Sequence, residues 1–201
     1  MIKALFLDRD GVINQVVKKY SRSYRTFIDD SPFKVSELVF TNGIEEFINQ
    51  SKKIGYKIII VTNQPSILKG KFSLLDYEQI TTKICRHLDL ERCDVLECFH
   101  KEDYSLPCNC RKPLPGLFLM AKGLHDIDLE HSIMIGDSWK DIQAAKYAGV
   151  GKTLYLKRKQ DSTQFGNLKD EKEMHEKGIY PDYTFSNLFE VAEKIKEIED
   201  S

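Results

Sequence analysis

IKALFL stands at Ile2–Leu7, and DRDGV follows at once at positions 8–12. The unbroken apolar run predicts a strand covered on both faces, as in a parallel sheet inside helices. In such sheets ligands bind beyond the carboxyl ends of the strands, which is where Asp8 and Asp10 fall. The sequence therefore predicts an α/β fold with a functional site at the end of its first strand.

Short apolar segments alternate with amphipathic ones along most of the chain. Strands are predicted at 2–7, 57–61, 94–98, 132–135, 153–156 and 183–185. Helices are predicted at 43–54, 73–90, 116–125, 139–148 and 188–198. Ser73 and Asn187 are predicted N-caps, and Gly149 is a predicted helix stop. This alternation indicates βαβ units and a doubly wound, Rossmann-like parallel sheet.

Two long segments interrupt this alternation. Residues 14–41 are polar and aromatic, and we expect a loop that faces the substrate, with a peripheral excursion as the alternative. Residues 157–181 are charged with little periodicity, and we expect a flexible surface loop. No linker divides the sequence, so residues 1–201 are expected to form a single domain.

Composition and charge exclude several classes of protein. The 201 residues carry 30 basic and 31 acidic side chains, a formal net charge of −1, and 41% are hydrophobic. That balance does not favour a nucleic-acid coat or a polybasic membrane anchor. The first residues lack the features of a secretory signal, and no apolar run approaches the roughly 20 residues that cross a bilayer. We expect a cytoplasmic protein whose five cysteines form no disulfide framework.

Clustered carboxylates at the first strand end predict a site for a hard cation. Asp8 and Asp10 would repel each other unless a cation neutralised them, and Mg²⁺ prefers oxygen ligands. Gly11 would let the chain turn tightly there, although a solvated turn is the structural alternative. Three further pairs are candidate site residues, and each could instead have a purely structural role. Thr62 with Asn63 could be an ordinary strand end, Arg111 with Lys112 a surface basic pair, and Asp137 with Asp141 a helix cap.

The order of these groups resembles the four motifs of the haloacid dehalogenase superfamily, DxDG, S/T, K and GDxxxD. The resemblance covers roughly residues 2–150, and 181–185 looks like the last strand of that family. It implies that Asp8 is the nucleophile of a phosphatase and Asp10 its general acid and base. It further implies that Thr62 holds a phosphoryl oxygen and that Lys112 neutralises charge.

The same resemblance implies the metal and phosphate contacts. Mg²⁺ would be held by Asp8, the backbone carbonyl of Asp10, and Asp137. Asp141 would hold the catalytic residues in place without itself contacting the substrate, or it would cap the following helix. Additional phosphate contacts are expected from Arg9, Gly11, Asn63 and Arg111, besides Lys112.

Three cysteines and a histidine crowd into the segment 98–110. The ligand set Cys98, His100, Cys108 and Cys110 is typical of a structural, tetrahedral Zn²⁺ site. A metal there would order the short polar loop inserted between the ligand pairs. Reduced core thiols or an adventitious pair are the alternatives. Cys85 and Cys93 are expected to be ordinary buried or half-buried residues.

The run from the cysteines to RKPLPG resembles the capless branch of subfamily IIIA, which contains heptose bisphosphate phosphatases and histidinol-phosphate phosphatases. The resemblance implies no cap domain and structural Zn²⁺. It also implies hydrolysis of D-glycero-D-manno-heptose 1,7-bisphosphate at the 7-phosphate, for surface polysaccharide precursors. Two departures concern substrate identity: Pro65-Ser66 where those enzymes have Ser-Gly, and Ser138 where Lys is common. Histidinol phosphate, a polynucleotide 3′-phosphate and a non-catalytic, zinc-stabilised binding module remain alternatives.

The expected partner is a small phosphorylated metabolite, in particular a sugar bisphosphate. Nucleic acid and membranes are not expected partners, and a monomer is expected, although no sequence feature bears on oligomeric state. Four basic side chains could receive a second phosphate or form a solvated basic face: Lys18, Lys19, Arg22 and Arg25.

Overall fold

A parallel sheet of six strands forms the centre of the protein. The computed structural model describes residues 1–21, 23–101, 108–157 and 167–200. The strands are β1 (Ile2–Leu7), β2 (Val17–Ser21), β3 (Thr26–Asp30), β4 (Lys57–Asn63), β5 (Val95–Cys98), β6 (Ile127–Gly136), β7 (Lys152–Leu156) and β8 (Tyr183–Phe185). The central sheet has the order β5-β4-β1-β6-β7-β8, and all its neighbouring strands are parallel. The predicted doubly wound α/β fold is confirmed.

The direction in which strands are added reverses at β1. The chain proceeds from β1 to β4 and β5 on one side, then returns to place β6, β7 and β8 on the other. A reversal of this kind opens a crevice at the carboxyl end of the first strand, where ligands bind in open α/β sheets. The backbone N–H of Asp8 donates to the carbonyl of Ile135 (3.0 Å), which fixes the chain just beyond β1 against β6.

Helices cover both faces of the sheet. They are α1 (Ile44–Lys53), α2 (Leu74–Leu88), α3 (Gly116–His125), α4 (Trp139–Ala148), α5 (Asn167–Lys177) and α6 (Leu188–Glu199). Alternate residues of β1 point to opposite faces: Leu5 and Leu7 pack with residues of α1, α2 and α6, whereas Ala4 and Phe6 pack with residues of α3 and α4. The result is three layers, helix, sheet and helix, with β1 buried in the middle.

The predicted helix ends agree with the structure. Ser73 accepts a hydrogen bond from Asp76 N–H in a capping box, and Asn187 accepts one from Glu190 N–H. Gly149 adopts φ 82° at the end of α4, a left-handed conformation that glycine adopts without strain. The polar N-cap residues and the C-terminal glycine therefore predict these helix ends correctly.

The prediction of a loop across 14–41 was wrong for much of that segment. β2 and β3 form an antiparallel two-stranded sheet, and a 3-10 turn spans Val35–Glu37. The turn between the strands contains Arg25 at φ 53°, where glycine or asparagine would have signalled a hairpin. Both strands also mix charged and apolar residues, so the sequence lacks a clear alternation.

The prediction of a flexible loop across 157–181 was also wrong in part, because α5 lies within it. Met174 is buried against Ile142 and Tyr155, together with Ile179 just beyond the helix. Little else in α5 is apolar, which is why periodicity did not reveal it. Residues 158–166 of the predicted loop lie outside the described part of the chain.

The described segments between the first three strands of the central sheet contain only small elements. The segment between β1 and β4 contains β2, β3, the 3-10 turn and α1, and the segment between β4 and β5 contains α2 and a 3-10 turn. This agrees with the expectation that the chain carries no cap domain. Within the residues described, no helix combines the length and apolar character needed to cross a bilayer.

Candidate active site

Three predicted catalytic residues and one predicted magnesium ligand meet at the carboxyl ends of the central strands. Asp8 directly follows β1, Thr62 is the next-to-last residue of β4, and Asp137 directly follows β6. Lys112 comes from the loop before α3, and its side chain is only 3% exposed. All four residues are buried, so their charges and hydroxyl act in a region with little solvent screening.

Lys112 is held in place by three acceptors. Its Nζ lies 2.7 Å from Asp8 Oδ1, 2.5 Å from Asp141 Oδ1 and 2.7 Å from the carbonyl oxygen of Val61. Burial opposes the positive charge, but the carboxylates of Asp141 and Asp8 outweigh it and raise the pKa of Lys112 above its ordinary value. Lys112 is therefore a permanent, oriented cation.

Three buried carboxylates surround this cation. Asp8, Asp137 and Asp141 can each offer an oxygen within 4.8 Å of the other two. Burial raises the pKa of Asp8 to about 7 despite Lys112, and the charge of Asp141 adds to the rise. One ammonium group cannot neutralise three carboxylates, and an all-oxygen donor set suits a hard divalent cation such as Mg²⁺. The residues present therefore fit the implied metal.

Asp141 is placed by α4 as well as by Lys112. Its Oδ2 accepts a hydrogen bond from the N–H of Ser138 (3.1 Å), closing a capping box at the start of the helix. Both expected roles, support of the site and helix capping, thus occur in one carboxylate. Close approach is possible because Gly136 has no side chain, since a Cβ there would lie 2.2 Å from Asp141 Cβ.

The carboxylate of Asp10 is surrounded by hydrogen-bond donors. Arg9 Nη2 lies 3.0 Å from Oδ2, Asn14 Nδ2 lies 3.0 Å from Oδ1, and Gln64 Nε2 lies 2.6 Å from Oδ2. Burial alone would raise the pKa of Asp10, but the charge of Arg9 and these hydrogen bonds lower it below its ordinary value. Asp10 is therefore an oriented carboxylate rather than a neutral acid in the free protein.

Asn14 and Gln64 were missed by the sequence analysis. Gln64 Nε2 also lies 3.0 Å from Thr62 Oγ1, so one amide contacts both the acid–base candidate and the phosphate-binding candidate. Gln64 follows Thr62 and Asn63 in the same motif, which could have indicated it. Asn14 is brought to Asp10 by a tight turn through Gly11, whose φ is 102°.

Two residues expected to bind phosphate make other contacts. Asn63 accepts from the backbone N–H of Lys112 and donates to its carbonyl oxygen, both at 3.0 Å, and so fixes the loop that carries the lysine. The side chain of Arg9 is fully buried, pairs with Asp10, and lies over the ring of Tyr77 at 5.4 Å. Both therefore act on neighbouring catalytic candidates in this structure.

The predicted zinc ligands also converge, beside the active site. The Sγ of Cys98 lies 3.1 Å from that of Cys110 and 3.7 Å from that of Cys108. His100 Nδ1 lies 3.4 Å from Cys98 Sγ and 3.2 Å from Cys110 Sγ. Ligands about 2.0–2.3 Å from a tetrahedral Zn²⁺ would have similar mutual spacings. Residues 102–107 of the loop lie outside the described chain.

Arg111 lies between the two clusters in the sequence. Its Nη1 donates to the carbonyl oxygen of His100 at 3.2 Å, so in this structure it braces the cysteine–histidine loop. The neighbouring Gly116 starts α3 against that loop, and its N–H donates to Asn109 O. A Cβ on Gly116 would lie 2.2 Å from the same oxygen, so only glycine allows this approach.

The basic residues of the β2–β3 hairpin differ in their availability. Lys19 Nζ lies 2.8 Å from Glu37 and 3.1 Å from the centroid of the Phe33 ring, so its charge is already engaged. Arg25 is exposed at the turn. Lys18 has an interaction of its own, and Arg22 lies outside the described residues.

Comparison with known proteins agrees with this arrangement. The family model described as haloacid dehalogenase-like hydrolase matches residues 23–149, and a model of HAD-like hydrolases matches 109–190. D-glycero-beta-D-manno-heptose-1,7-bisphosphate 7-phosphatase of Helicobacter pylori strain J99 is 37% identical over 158 residues, 77% of this chain and 83% of that protein. The corresponding alpha-anomer phosphatase of Photorhabdus laumondii is 33% identical over 164 residues, 78% of this chain and 83% of that protein.

A solved structure is similar over nearly the whole chain. The D,D-heptose 1,7-bisphosphate phosphatase of B. bronchiseptica, crystallised with magnesium and phosphate, covers 98% of this chain and 99% of its own. Its TM-score is 0.75 and its sequence identity is 27%. The chain belongs to the haloacid dehalogenase-like hydrolase family, and within that family it is a phosphatase.

Proposed function

We propose that this chain hydrolyses the 7-phosphate of D-glycero-D-manno-heptose 1,7-bisphosphate through an aspartyl-phosphate on Asp8. The observation that carries the proposed chemistry is the position of Lys112, whose ammonium lies between Asp8 and Asp141 at the sheet crevice; the proposed substrate is supported by the named substrates of the relatives. An aspartate beside a fixed cation suits attack on an anionic ester, because phosphoryl transfer depends mainly on positioning and charge neutralisation.

The proposed metal is Mg²⁺. It would be held by the carboxylates of Asp8 and Asp137 and the backbone carbonyl of Asp10, as the all-oxygen donor set favours. When bound, it would neutralise and orient the phosphate next to the carboxylate nucleophile. Asp141 would remain with Lys112 and the N-terminus of α4, which keeps the lysine directed at Asp8.

In the first chemical step, a carboxylate oxygen of Asp8 forms a bond to phosphorus as the bond from phosphorus to the sugar oxygen breaks. Lys112 neutralises the negative charge on nucleophile and phosphate, and Thr62 donates its hydroxyl to a phosphoryl oxygen. Asp10 protonates the leaving sugar oxygen. Because Asp10 is a carboxylate in the free protein, it would first accept this proton from the bound substrate in its monoanionic form. The second pKa of a phosphate monoester is about 6.

In the second step, water attacks the phosphorus of the aspartyl-phosphate. Asp10 takes a proton from that water, inorganic phosphate leaves, and the Asp8 carboxylate is restored. Asp10 then releases its proton to solvent and returns to the carboxylate form. The amide of Gln64 serves both steps as a positioning group, because it contacts both Asp10 and Thr62. Arg9 and Asn14 hold the other edges of the same carboxylate.

We propose that Cys98, His100, Cys108 and Cys110 hold a structural Zn²⁺. Their mutual distances support a closed tetrahedral site, and four protein ligands leave no position for substrate. Zinc there would fix the end of β5 to the chain that leads into Lys112. Reduced thiols fit this role, and all five cysteines of the chain are free.

Several wider expectations remain proposals of the same kind. Residues 1–201 would form a single catalytic domain with the zinc loop 98–110 inserted, acting as a monomer on a small phosphorylated sugar. The free thiols suit the reducing cytoplasm, where we place the protein. The named substrates of the two bacterial relatives support a heptose bisphosphate.

A substrate panel tests the proposed function. With Mg²⁺ supplied, both anomers of the heptose bisphosphate would be compared with simple sugar phosphates, histidinol phosphate and a 3′-phosphorylated oligonucleotide. We expect one heptose anomer to have a kcat/KM at least about tenfold above every other compound. A higher value for histidinol phosphate or the oligonucleotide, or similar values throughout, would contradict the proposed substrate.

A further inference from the structure

A second group of metal-ligating side chains lies near the amino ends of the central strands, opposite the candidate active site. Cys93 and Asp94 immediately precede β5, and His125 is the last residue of α3. Each can offer a ligand atom within 4.8 Å of the other two. Asp94 and His125 have side chains only 6% and 10% exposed, whereas Cys93 is exposed, contrary to the sequence-based expectation.

The aspartate in this group is already oriented by the backbone. Its Oδ2 accepts a hydrogen bond from the N–H of Glu91 at 3.1 Å, so the carboxylate cannot rotate freely. Its Oδ1 lies 3.7 Å from His125 Nε2. The same ring nitrogen donates a hydrogen bond to the carbonyl oxygen of Cys93 at 3.1 Å, which places the imidazole beside that residue; a zinc ion bound through this nitrogen would replace the hydrogen bond.

Lys57 neutralises the aspartate in the absence of another cation. Its Nζ lies 2.7 Å from Asp94 Oδ1, and its side chain is 29% exposed. A partly exposed lysine can swing toward solvent, and its removal leaves a buried carboxylate that needs a positive partner. Lys57 therefore competes with any cation at this position without blocking it permanently.

We propose that Cys93, Asp94 and His125 form a second zinc site, with an open fourth position. A thiolate, an imidazole and a carboxylate are the three zinc ligand types, whereas Mg²⁺ would require oxygen ligands. The site would link the last residue of α3 to the turn before β5. The proposed four-ligand cluster lies at the other end of the same pair of elements, so the pair would be clamped at both ends.

Zinc stoichiometry of the full chain tests this site. Metal-stripped protein would be titrated with Zn²⁺ against a chromophoric chelator, and His125→Gln and Cys93→Ser should each bind one equivalent fewer than the unaltered chain. His131→Gln is the matched control, since that histidine is exposed and paired with Asp128. The same comparison can be made in a Cys108→Ser background, in which the proposed zinc site of the 98–110 loop is removed. A loss of zinc from the second site is then distinguishable from a loss at the loop.

Two further readouts protect the test against trivial loss of structure. Circular dichroism of the metal-free variants would establish that they fold, and Co²⁺ bound at this site should lose its thiolate absorption in Cys93→Ser. Lys57→Met removes the competing ammonium and should tighten zinc binding by about tenfold. Equal zinc stoichiometry in the unaltered chain and in both ligand variants, or zinc affinity unchanged by Lys57→Met, would overturn the proposal.

Discussion

Gln64 connects two catalytic candidates through a single buried amide. Its Nε2 lies within hydrogen-bond distance of both Asp10 and Thr62. Replacing it by leucine keeps the approximate volume but removes both contacts, so the carboxylate and the hydroxyl would lose their common support. An effect on orientation should appear mainly in the chemical step.

We expect Gln64→Leu to lower kcat by about tenfold to a hundredfold, with a much smaller change in KM. Steady-state kinetics would measure both constants, and Gln50→Leu on the surface of α1 provides the control. If kcat stayed at the level of the unaltered enzyme, Gln64 would be a structural residue only.

Asp8 is the second residue whose role can be tested directly. Asp8→Asn keeps the shape of the side chain but removes the nucleophilic oxygen, so turnover should fall by at least about 10⁴-fold. Circular dichroism should show an intact fold, and Asp128→Asn on the surface should retain full activity. Substantial turnover by Asp8→Asn would exclude this aspartate as the nucleophile.

The motif residues could be predicted from the sequence because their chemistry is strongly patterned. Asp8, Asp137 and Lys112 stand at strand ends or before a helix, and the structure brings them together. The contacts of Asn63 and Gln64 could not be predicted, because amides can bind ligand, side chain or backbone equally well. Only the folded geometry reveals that these two hold other residues.

At the scale of elements, one carboxylate adds to the backbone pairing of β8 with β7. Asp182 Oδ2 accepts hydrogen bonds from the N–H and the hydroxyl of Thr153, both at 2.7 Å. Burial would raise the pKa of Asp182, but these hydrogen bonds lower it below its ordinary value. The ionised form is therefore the one that stabilises the edge of the sheet.

We expect Asp182→Asn to lower the free energy of unfolding by about 1 kcal/mol at neutral pH, a modest value because the side chain is partly exposed. A lowered folded-state pKa stabilises the protein above the unfolded pKa, so the difference should shrink as pH falls below about 4. Urea unfolding across pH measures it. In a Thr153→Val background the effect should largely disappear, and a loss that persisted there would contradict the assignment.

The cysteine–histidine loop is the other element whose stability can be tested. Cys108→Ser removes one of four proposed ligands of the loop zinc, so one equivalent of zinc should be lost and residues 98–110 should become more susceptible to proteolysis. Activity should fall secondarily, because Lys112 follows this loop. Elemental analysis gives the metal content, Cys85→Ser is the control, and unchanged zinc in Cys108→Ser would count against the cluster.

Secondary structure was predictable wherever apolar periodicity was strong. The ends of α3 and α4 agree with prediction, since each helix packs apolar residues against the sheet and Gly149 ends α4. The short β2–β3 hairpin and α5 were missed because most of their residues are charged or polar. α5 depends on a few contacts, Met174 above all, together with pairs such as Lys169–Glu173 one turn apart.

At the scale of the whole molecule, the sheet joins acidic groups from distant parts of the chain. Asp8 and Asp137 directly follow the neighbouring strands β1 and β6, although 129 positions separate them in sequence (137 − 8). A cation held by both would favour the folded state, because the unfolded chain has no such site. Metal binding should therefore stabilise the entire fold.

We expect Mg²⁺ to raise the free energy of unfolding with concentration, by about 2.7 kcal/mol at one hundred times its dissociation constant. Denaturant unfolding at several Mg²⁺ concentrations would measure this rise, and Asp137→Asn should abolish most of it. Asp128→Asn should behave like the unaltered chain. An equal rise in Asp137→Asn would show that the cation binds elsewhere.

The missing side chain at Gly136 has a consequence for how this enzyme can vary. The space that a methyl group would occupy there is filled by Asp141, which steers Lys112 toward Asp8. A single added carbon would displace that carboxylate, and the displacement would in turn move Lys112 relative to Asp8. The absence of a side chain at position 136 thus sets the geometry around the proposed nucleophile from a distance, and we expect no larger residue there to be compatible with activity.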